Sequence, residues 1–264
     1  MTLIDLPGIA LQDLAVNNAL QARQDRKYVI GTDVLTRLID TMAGHCAVLE
    51  IDGLRSSRYA TRYYDTGDLL TARHHAQGVR RRFKARTRTY LDSGLVRLEL
   101  KGKGGGGGQT VKYALDGAAP ELDSIGRVFL RDALDRCYGP RYLPDVVDRL
   151  QPTLEMTCTR TTLVGTTEQV RVTVDRDLRF GGTSLRHGLA VLEVKSTGPR
   201  TDVDRLLVGF GARPASFSKY VAAVELTRGA EVLRSHPSGL LRRCFATIQD
   251  GLDQAPTEAL AEAV

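Results

Sequence analysis

Strict alternation of polar and apolar residues is the clearest pattern in this 264-residue chain. Alternate residues of a β-strand share a face, so such a run predicts a strand with one packing face and one polar face. Between positions 80 and 89 the odd residues from Phe83 onwards are apolar or small. The even residues on the opposite face are five cations, Arg80, Arg82, Lys84, Arg86 and Arg88.

A second alternating run follows directly. In 95–103 one face holds Val96, Leu98 and Leu100, and the other holds Arg97, Glu99, Lys101 and Lys103. An Asp-Ser-Gly turn at 92–94 joins the two runs, so we predict a hairpin of strands over 79–91 and 95–103.

The same pattern recurs in the second half of the chain. Val170, Val172 and Val174 alternate with polar residues, and the sequence Glu-x-Lys occurs both at 99–101 and at 193–195. Each copy follows a strand that carries arginine. The repetition indicates an internal duplication of a set of strands.

The remaining segments alternate between strand-like and helix-like patterns. Further strands are predicted over 26–30, 57–65, 110–115, 153–162, 166–175 and 189–196. Helices are predicted over 6–23, 32–42, 120–138, 144–150, 202–210, 221–228 and 240–252, and residues 69–78 are predicted to form a short helix or a loop. We therefore expect an α+β fold divided into an N-terminal helix (1–23), a strand-rich domain (24–228) and a C-terminal helical tail (229–264). The halves of the central domain, about 24–118 and 151–228, are joined by a helical connector.

Positive charge is concentrated in the first hairpin. The chain has 37 basic and 31 acidic residues, a formal net charge of +6 and a pI near 9.2. Nine of the basic residues lie in the window 80–103, where Asp92 and Glu99 oppose them, so the rest of the chain is close to neutral. A localised positive field of this kind indicates a binding site for an anion.

The cationic faces could simply face solvent, as polar faces of antiparallel strands often do. Against this interpretation, five like charges at a spacing of two residues repel one another. A polyanion would neutralise them, because arginine binds phosphate oxygens bidentately and lysine adds a point charge. A binding face is therefore the favoured interpretation.

Nucleic acid and polyphosphate are both polyanions, and the other residues distinguish them. Aromatic residues make up 6% of the chain and there is no Trp, whereas binders of single strands use aromatic stacking platforms. Glu99 and Glu193 would repel a nucleic-acid backbone, but each could bind a divalent cation that bridges it to phosphate. We expect a triphosphate or polyphosphate ligand and no nucleic acid.

Other kinds of site have little support in the sequence. Five glycines at 104–108 predict a loop, and the absence of GK[ST] and of a following helix argues against a phosphate-binding P-loop. His74 and His75 have no third metal ligand nearby, and Asp65 is typical of a turn. Ser218 has no evident His partner for nucleophilic catalysis.

Composition also suggests a cellular location. No apolar run approaches the roughly 18 residues of a membrane span, and the first residues carry acids and no basic leader. The four cysteines lie far apart without a CxxC pair, which argues against a zinc cluster or a disulfide framework. We expect a cytoplasmic protein with no membrane segment.

Nine phrases in chain order are similar to those of a known family. They are Arg26-Lys27-Tyr28, Tyr63-Tyr64-Asp65-Thr66, Lys84-Ala85-Arg86-Thr87-Arg88-Thr89-Tyr90, Leu98-Glu99-Leu100-Lys101, Lys112, Arg160, Val170-Arg171-Val172-Thr173-Val174-Asp175, Leu192-Glu193-Val194-Lys195 and Ser218-Lys219-Tyr220. The ordered set resembles the polyphosphate polymerase domain of the vacuolar transporter chaperone (VTC) family, within the CYTH-like triphosphate tunnel superfamily. The resemblance extends from about Arg26 to Val224.

The resemblance implies an antiparallel β-barrel with flanking helices that encloses a tunnel. By this resemblance the phosphate-binding cations that line the tunnel would be Lys27, Lys84, Arg86, Arg88, Lys101, Lys112, Arg160, Arg171, Lys195 and Lys219. Those assigned to catalysis would be Arg86, Arg88, Lys101 and Lys195. Glu193 would bind Mn²⁺ or Mg²⁺, with Glu99 as a helper. Family members transfer the γ-phosphoryl group of ATP to a growing polyphosphate chain, and related tunnel proteins hydrolyse triphosphates.

The chain departs from the family pattern in three places. Asp25 stands where relatives commonly carry Glu, which puts a hydrolytic metal site of the ExExK type in doubt. Cys158 occupies a position where an aromatic residue is usual, and the pentaglycine segment lies between two tunnel strands.

Our leading hypothesis is a metal-dependent polyphosphate polymerase that uses ATP. A triphosphatase that uses the same cations is one alternative. A non-catalytic module that senses or binds polyphosphate or a phosphorylated partner is the other, since all three need the same cations. We expect ATP, polyphosphate or tripolyphosphate as the ligand. The oligomeric state is left open.

Overall fold

A computed structural model describes Leu3 and residues 5–13, 24–104, 110–198 and 200–248. Its strands are β1 (Gly8–Ala10), β2 (Gln24–Gly31), β3 (Cys46–Glu50), β4 (Ser57–Asp65), β5 (Arg82–Tyr90), β6 (Val96–Lys103), β7 (Thr110–Asp116), β8 (Gln151–Gly165), β9 (Val170–Phe180), β10 (Thr183–Leu185), β11 (Leu189–Ser196) and β12 (Phe245–Thr247). Its helices are α1 (Thr32–Met42), α2 (Leu70–Ala76), α3 (Ser124–Tyr138), α4 (Asp202–Gly209), α5 (Lys219–Arg228) and α6 (Gly239–Cys244), with a 3₁₀ turn at Glu231–Leu233. None of these helices is long and apolar enough to cross a membrane.

The main sheet has eight strands in the order β2-β11-β9-β8-β4-β5-β6-β7, and every neighbouring pair in this path is antiparallel. The remaining strands extend it: β10 and β12 continue from β9, and β3 and β1 continue from β8. The predicted α+β class with antiparallel strands and flanking helices is confirmed. Strands β2 and β7 end the path, so hydrogen bonds among the described residues do not close it into a complete barrel.

The sheet nevertheless curls until its two ends meet. Lys101 on β6 lies with its Nζ 3.4 Å from a carboxylate oxygen of Asp25 on β2, although five strands separate β6 from β2 in the sheet. Two register shifts on β8, beside Tyr63 and beyond Thr157, interrupt the regular pairing. Such irregularities bend and twist a sheet. The curl gives the sheet a concave interior and a convex exterior.

Two hydrophobic clusters cover the convex side and thereby decide which residues face inwards. Alternate apolar residues of β2, β9 and β11, such as Val172 and Leu192, pack against α1 and α4. Phe83 and Ala85 of β5 and Leu100 of β6 pack against α3. Because strand residues alternate between faces, the polar residues between them are directed into the concave interior.

A third cluster fills one end of the interior. Helix α5 contributes Tyr220, whose ring stacks on that of Tyr63 on β4 at 4.7 Å between ring centroids. Val191 of β11 and Leu154 of β8 belong to the same cluster. Helix α5 therefore closes this end, and its first residues lie against the polar part of the interior.

Some predicted elements are wrong. In the predicted helix over 6–23, Gly8–Ala10 is instead a strand that pairs with β3. Residues 11–13 are helical, as predicted, and residues 14–23 lie outside the described part of the chain. Residues 144–150 form successive turns, and residues 245–247 are a strand. Short strands carry too few residues for their periodicity to be read, so long-range pairing decides them.

The packing of β6 against α3 yields a stability prediction. Leu100 is fully buried in this cluster, so Leu100→Ala should lower the free energy of unfolding by about 2–5 kcal/mol through lost apolar contact and a residual cavity. Urea denaturation measures the loss. Leu95→Ala, at a side chain that is 37% exposed, is the control and should cost less than about 1 kcal/mol. Equal losses of unfolding free energy in Leu100→Ala and Leu95→Ala would contradict the packing of Leu100 against α3.

Candidate functional site

Strand β5 places three of its cations in the interior. Lys84, Arg86 and Arg88 alternate with Phe83, Ala85 and Thr87, which are buried on the other face. The sequence alternation predicted this division. Arg82 differs from the row, because its guanidinium donates to the Val79 carbonyl oxygen at 2.6 Å and to His75 at 3.3 Å.

The cross-strand register assembles these cations into rows. Lys84 on β5 is directly opposite Lys101 on β6, which is opposite Lys112 on β7. The next row along the strands pairs Arg86 with Glu99. Directly opposite residues of neighbouring strands share a face, so three lysines project side by side into the interior.

Glu99 is the counter-charge for this wall. Its side chain is 2% exposed and lies 2.6 Å from Arg86 and 3.7 Å from Arg88, and it also pairs with Lys112. Burial alone would raise the pKa of Glu99, but the three positive charges outweigh burial and hold its pKa far below the usual range. The carboxylate is therefore ionised and held by three cations.

The opposite wall repeats the arrangement on β11, β9 and β2. Glu193 lies 2.9 Å from Lys195 and 3.9 Å from Lys27, and Lys195 also donates to Thr173 at 3.1 Å. Burial lowers the pKa of Lys195 to about 8, although Glu193 opposes the shift. Arg171 is directly opposite Lys195 and so lies on the same face. The two Glu-x-Lys phrases thus occupy facing walls of one interior.

A third carboxylate joins β8, β9 and α5. The side chain of Asp175 is 1% exposed; it accepts two hydrogen bonds from Arg160, at 2.5 and 2.8 Å, and pairs with Lys219. The sequence pattern places Asp175 at the end of the predicted strand over 166–175. The structure places it inside β9, where it holds two of the predicted phosphate-binding cations.

Helix α5 is fixed in position by Asp65, which the sequence assigned to a turn. Asp65 is fully buried and accepts hydrogen bonds from the Tyr220 hydroxyl at 2.7 Å and from the backbone and side chain of Thr71 at 2.8 Å. This anchor sets Lys219 and Ser218 at the interior. The Oγ atom of Ser218 lies 3.0 Å from Nζ of Lys84. No local motif reveals this contact, since 134 positions separate the two residues.

The predicted phosphate-binding residues come together in one site. The ten cations Lys27, Lys84, Arg86, Arg88, Lys101, Lys112, Arg160, Arg171, Lys195 and Lys219 share the concave side with the carboxylates of Asp25, Glu99, Asp175 and Glu193. Positive side chains outnumber negative ones by more than two to one. Such an interior can bind an extended polyanion.

The donor set decides how a divalent metal could bind. Among the described residues, no group of three or more His, Cys, Asp and Glu side chains is placed to hold a metal ion. Glu193 is 15% exposed and has two lysine partners, whereas Glu99 is almost completely buried among three cations. Mg²⁺ commonly takes one or two protein carboxylates and completes its coordination with phosphates and water. The site fits a metal that shares its ligands with phosphates, and Glu193 is the better placed of the two predicted ligands.

Removing the counter-charge at Glu99 should destabilise the protein. Glu99→Gln leaves Arg86, Arg88 and Lys112 uncompensated, so we expect a loss of about 3–5 kcal/mol in the free energy of unfolding. Tripolyphosphate should restore part of this loss, because it supplies negative charge to the same cations. Thermal denaturation with and without tripolyphosphate measures both effects.

Glu155→Gln is the matched control, since Glu155 is 69% exposed and pairs with Arg62. We expect a change below about 1 kcal/mol there. A Glu99→Gln variant as stable as this control would show that Glu99 does not hold the cations together.

Lys84 should make the stability of the free protein depend on pH. Burial lowers the pKa of Lys84 to about 7, and the nearby cations Lys101, Arg86 and Lys27 reinforce the shift against the attraction of Glu193. In the unfolded chain an ordinary lysine has a pKa of about 10.4. Between these values the unfolded chain binds the extra proton, so the free energy of unfolding rises with pH.

Relative to Lys84→Met, the wild-type protein should gain up to about 1.4 kcal/mol per pH unit between about pH 7 and 10. Chemical denaturation at several pH values measures the difference. Lys103→Met, at the exposed end of β6, controls for the loss of a lysine. A pH-independent difference between wild type and Lys84→Met would contradict the buried, cation-surrounded position of Lys84.

Comparisons with solved structures find several proteins that align with most of this chain. One is HpAC1 from Hippeastrum, described as an adenylyl cyclase with a dominant triphosphatase activity; it shares 15% identity over 81% of this chain and 99% of its own, with a TM-score of 0.49. An adenylate cyclase homologue from Vibrio parahaemolyticus shares 12% identity over 81% of this chain and 98% of its own, with a TM-score of 0.42. The PH1819 protein from Pyrococcus horikoshii OT3 shares 14% identity over 77% of this chain and 98% of its own, with a TM-score of 0.43. Similarity at this level carries no argument about activity.

No curated protein matches the sequence. The VTC domain family model matches residues 22–228, which include every cation and carboxylate of the site. Since this match covers well over half of the 264 residues, the chain belongs to the VTC domain family.

Proposed function

We propose that the protein is a metal-dependent phosphotransferase that synthesises polyphosphate from ATP inside its cationic interior. The observation that carries the proposal is the convergence of two cationic walls, one built around the buried Glu99 and the other around the partly exposed Glu193. Membership of the VTC domain family supports it, as does the order of motifs along the chain.

The shape of the cationic surface favours a linear chain of phosphates. From Lys84 to Arg88 the β5 row covers about 13 Å, at about 3.3 Å per residue. That length exceeds a single phosphate and suits several linked ones. Across the interior, Arg160 and Lys195 can contact the opposite side of the same chain. The site would therefore hold a donor triphosphate and the end of an acceptor chain in line.

Phosphoryl transfer needs positioning and charge neutralisation more than acid–base chemistry. The forked guanidinium groups of Arg86, Arg88 and Arg160 can each bind two phosphate oxygens. Lys101 and Lys195 add point charges on facing strands. A Mn²⁺ or Mg²⁺ ion held by Glu193 would neutralise phosphate oxygens during transfer. Because the cations are already fixed by buried carboxylates, little reorganisation is needed when the phosphates bind.

Chain growth is the direct test. Purified protein incubated with ATP and Mn²⁺ should form polyphosphate that is visible on a polyacrylamide gel. The double variant Arg86→Ala and Arg88→Ala should lower product formation at least about a hundredfold, because two charge-stabilising groups are lost.

Arg62→Ala is the control, because Arg62 belongs to β4 but pairs with the exposed side chains of Glu121 and Glu155 and should leave synthesis unchanged. Absence of chain product from the wild-type protein would overturn the polymerase proposal. Phosphate release from tripolyphosphate without chain growth would then identify a triphosphatase. Tight binding of tripolyphosphate without turnover would identify a binding module.

A further inference from the structure

The hydroxyl of Ser218 has an unusual environment for a residue that precedes a helix. Asp123, Thr201 and Ser238 precede α3, α4 and α6, and each caps its helix by accepting a hydrogen bond from a backbone N–H group. Ser218 precedes α5 without making such a cap. Its Oγ instead lies 3.0 Å from Nζ of Lys84, across the interior. The hydroxyl is thus directed towards the cations of the site.

Lys84 is suited to receive a proton from this hydroxyl. The charged groups that face it are Lys101, Arg86 and Lys27, with Glu193 as the opposing charge. Burial and these cations lower the pKa of Lys84 to about 7, so a substantial fraction of the amine is neutral near neutral pH. A neutral amine within hydrogen-bond distance of a serine hydroxyl can act as its base.

The surroundings of Ser218 would also stabilise a phosphate attached to it. The ten-residue helix α5 begins at the next residue, and backbone N–H groups at a helix N-terminus attract negative charge. Lys84 Nζ lies 3.0 Å from Ser218 Oγ. A phosphoserine in this position would accept a charge-assisted hydrogen bond from Lys84.

We propose that Ser218 is a phosphorylation site of the protein on itself, which supplies the first acceptor for a phosphate chain. This inference rests on the proposed function, because the donor is the triphosphate held in the same interior. The bond that forms joins Ser218 Oγ to the γ-phosphorus of ATP. The bond that breaks joins that phosphorus to the bridging oxygen, which leaves with its electron pair on ADP. The hydroxyl proton passes to Lys84 Nζ.

Other hydroxyl groups nearby are less suited to the role. Thr173 lies in the interior, but it is 5% exposed and its Oγ1 accepts a hydrogen bond from Lys195. Ser216 is exposed and lies two residues before Ser218 in the chain. The hydroxyl that contacts Lys84 is that of Ser218. Ser218 is partly exposed and combines access with a base.

Mass spectrometry of the denatured protein tests the modification. Wild-type protein incubated with ATP and Mn²⁺, then unfolded in urea and digested, should yield a phosphorylated peptide with the group on Ser218. Ser218→Ala should lower covalent incorporation from γ-labelled ATP at least tenfold, whereas Ser216→Ala should not. Polyphosphate synthesis with an unmodified Ser218 would overturn the inference and leave the proposed function standing. Absence of both polyphosphate and phosphoserine would overturn both.

Priming gives a second readout. With ATP alone, Ser218→Ala should form polyphosphate at least tenfold more slowly than wild type, and added tripolyphosphate should restore most of the rate by serving as the acceptor. No recovery would show that Ser218 only binds phosphate, which would overturn the acceptor role.

Lys84→Arg separates charge from proton acceptance, because arginine keeps the positive charge but cannot act as a base. In Lys84→Arg the fold-loss in labelling of Ser218 should be about ten times the fold-loss in affinity for tripolyphosphate. Calorimetry measures the affinity. Equal losses would show that Lys84 contributes charge alone.

Discussion

Burial of like charges is the constraint on which this structure depends. Ten cationic side chains converge on the concave side of one sheet, and repulsion among them would oppose folding without compensation. Glu99, Asp175 and Glu193 each hold two or three of them. The carboxylates are too few to neutralise the interior, so a polyanion finds a positive field that is already in place. Folding and ligand affinity are thus set by the same ion pairs.

The apolar convex face of the sheet, which is buried against helices, makes this arrangement possible. Val172 and Leu192 pack on one side of the sheet, and Phe83 and Leu100 pack on another. Because successive residues of a strand lie on opposite faces of the sheet, the residues between these apolar ones face the interior. The free energy gained in these hydrophobic layers offsets the strain of the cationic site, as is common where function opposes stability. Helix α5 completes the site, because its anchor at Asp65 holds Lys219 beside Asp175.

The sequence predicted most of the long elements, because period-two and helical patterns over eight or more residues are distinctive. Strand β9 is an exception in its bounds, since it occupies Val170–Phe180 and not the predicted 166–175. The bounds of β4 and α1 agree with the predicted 57–65 and 32–42. It also indicated which cations share a face, since parity within a strand decides this locally. The sequence pattern did not predict the short strands β1, β3, β10 and β12. It also predicted a helix over 144–150, where the structure has turns.

The side-chain contacts within the site could not be predicted from the sequence, for a different reason. The roles of Asp175 and Asp65 depend on strands and helices brought together by the sheet path, and so does the contact of Ser218 with Lys84. A carboxylate looks the same in the sequence whether it ends a turn or holds two cations. Register between distant strands, which no local pattern encodes, makes the difference.

A crystal structure of the protein with tripolyphosphate and Mn²⁺ would show directly whether the interior cations bind phosphates. We predict a phosphate chain between the two walls, with its oxygens in contact with Arg86 on β5 and Lys195 on β11. Phosphates bound only to exposed residues such as Arg80 and Arg81, with the interior cations still paired only to the carboxylates of the protein, would contradict this prediction.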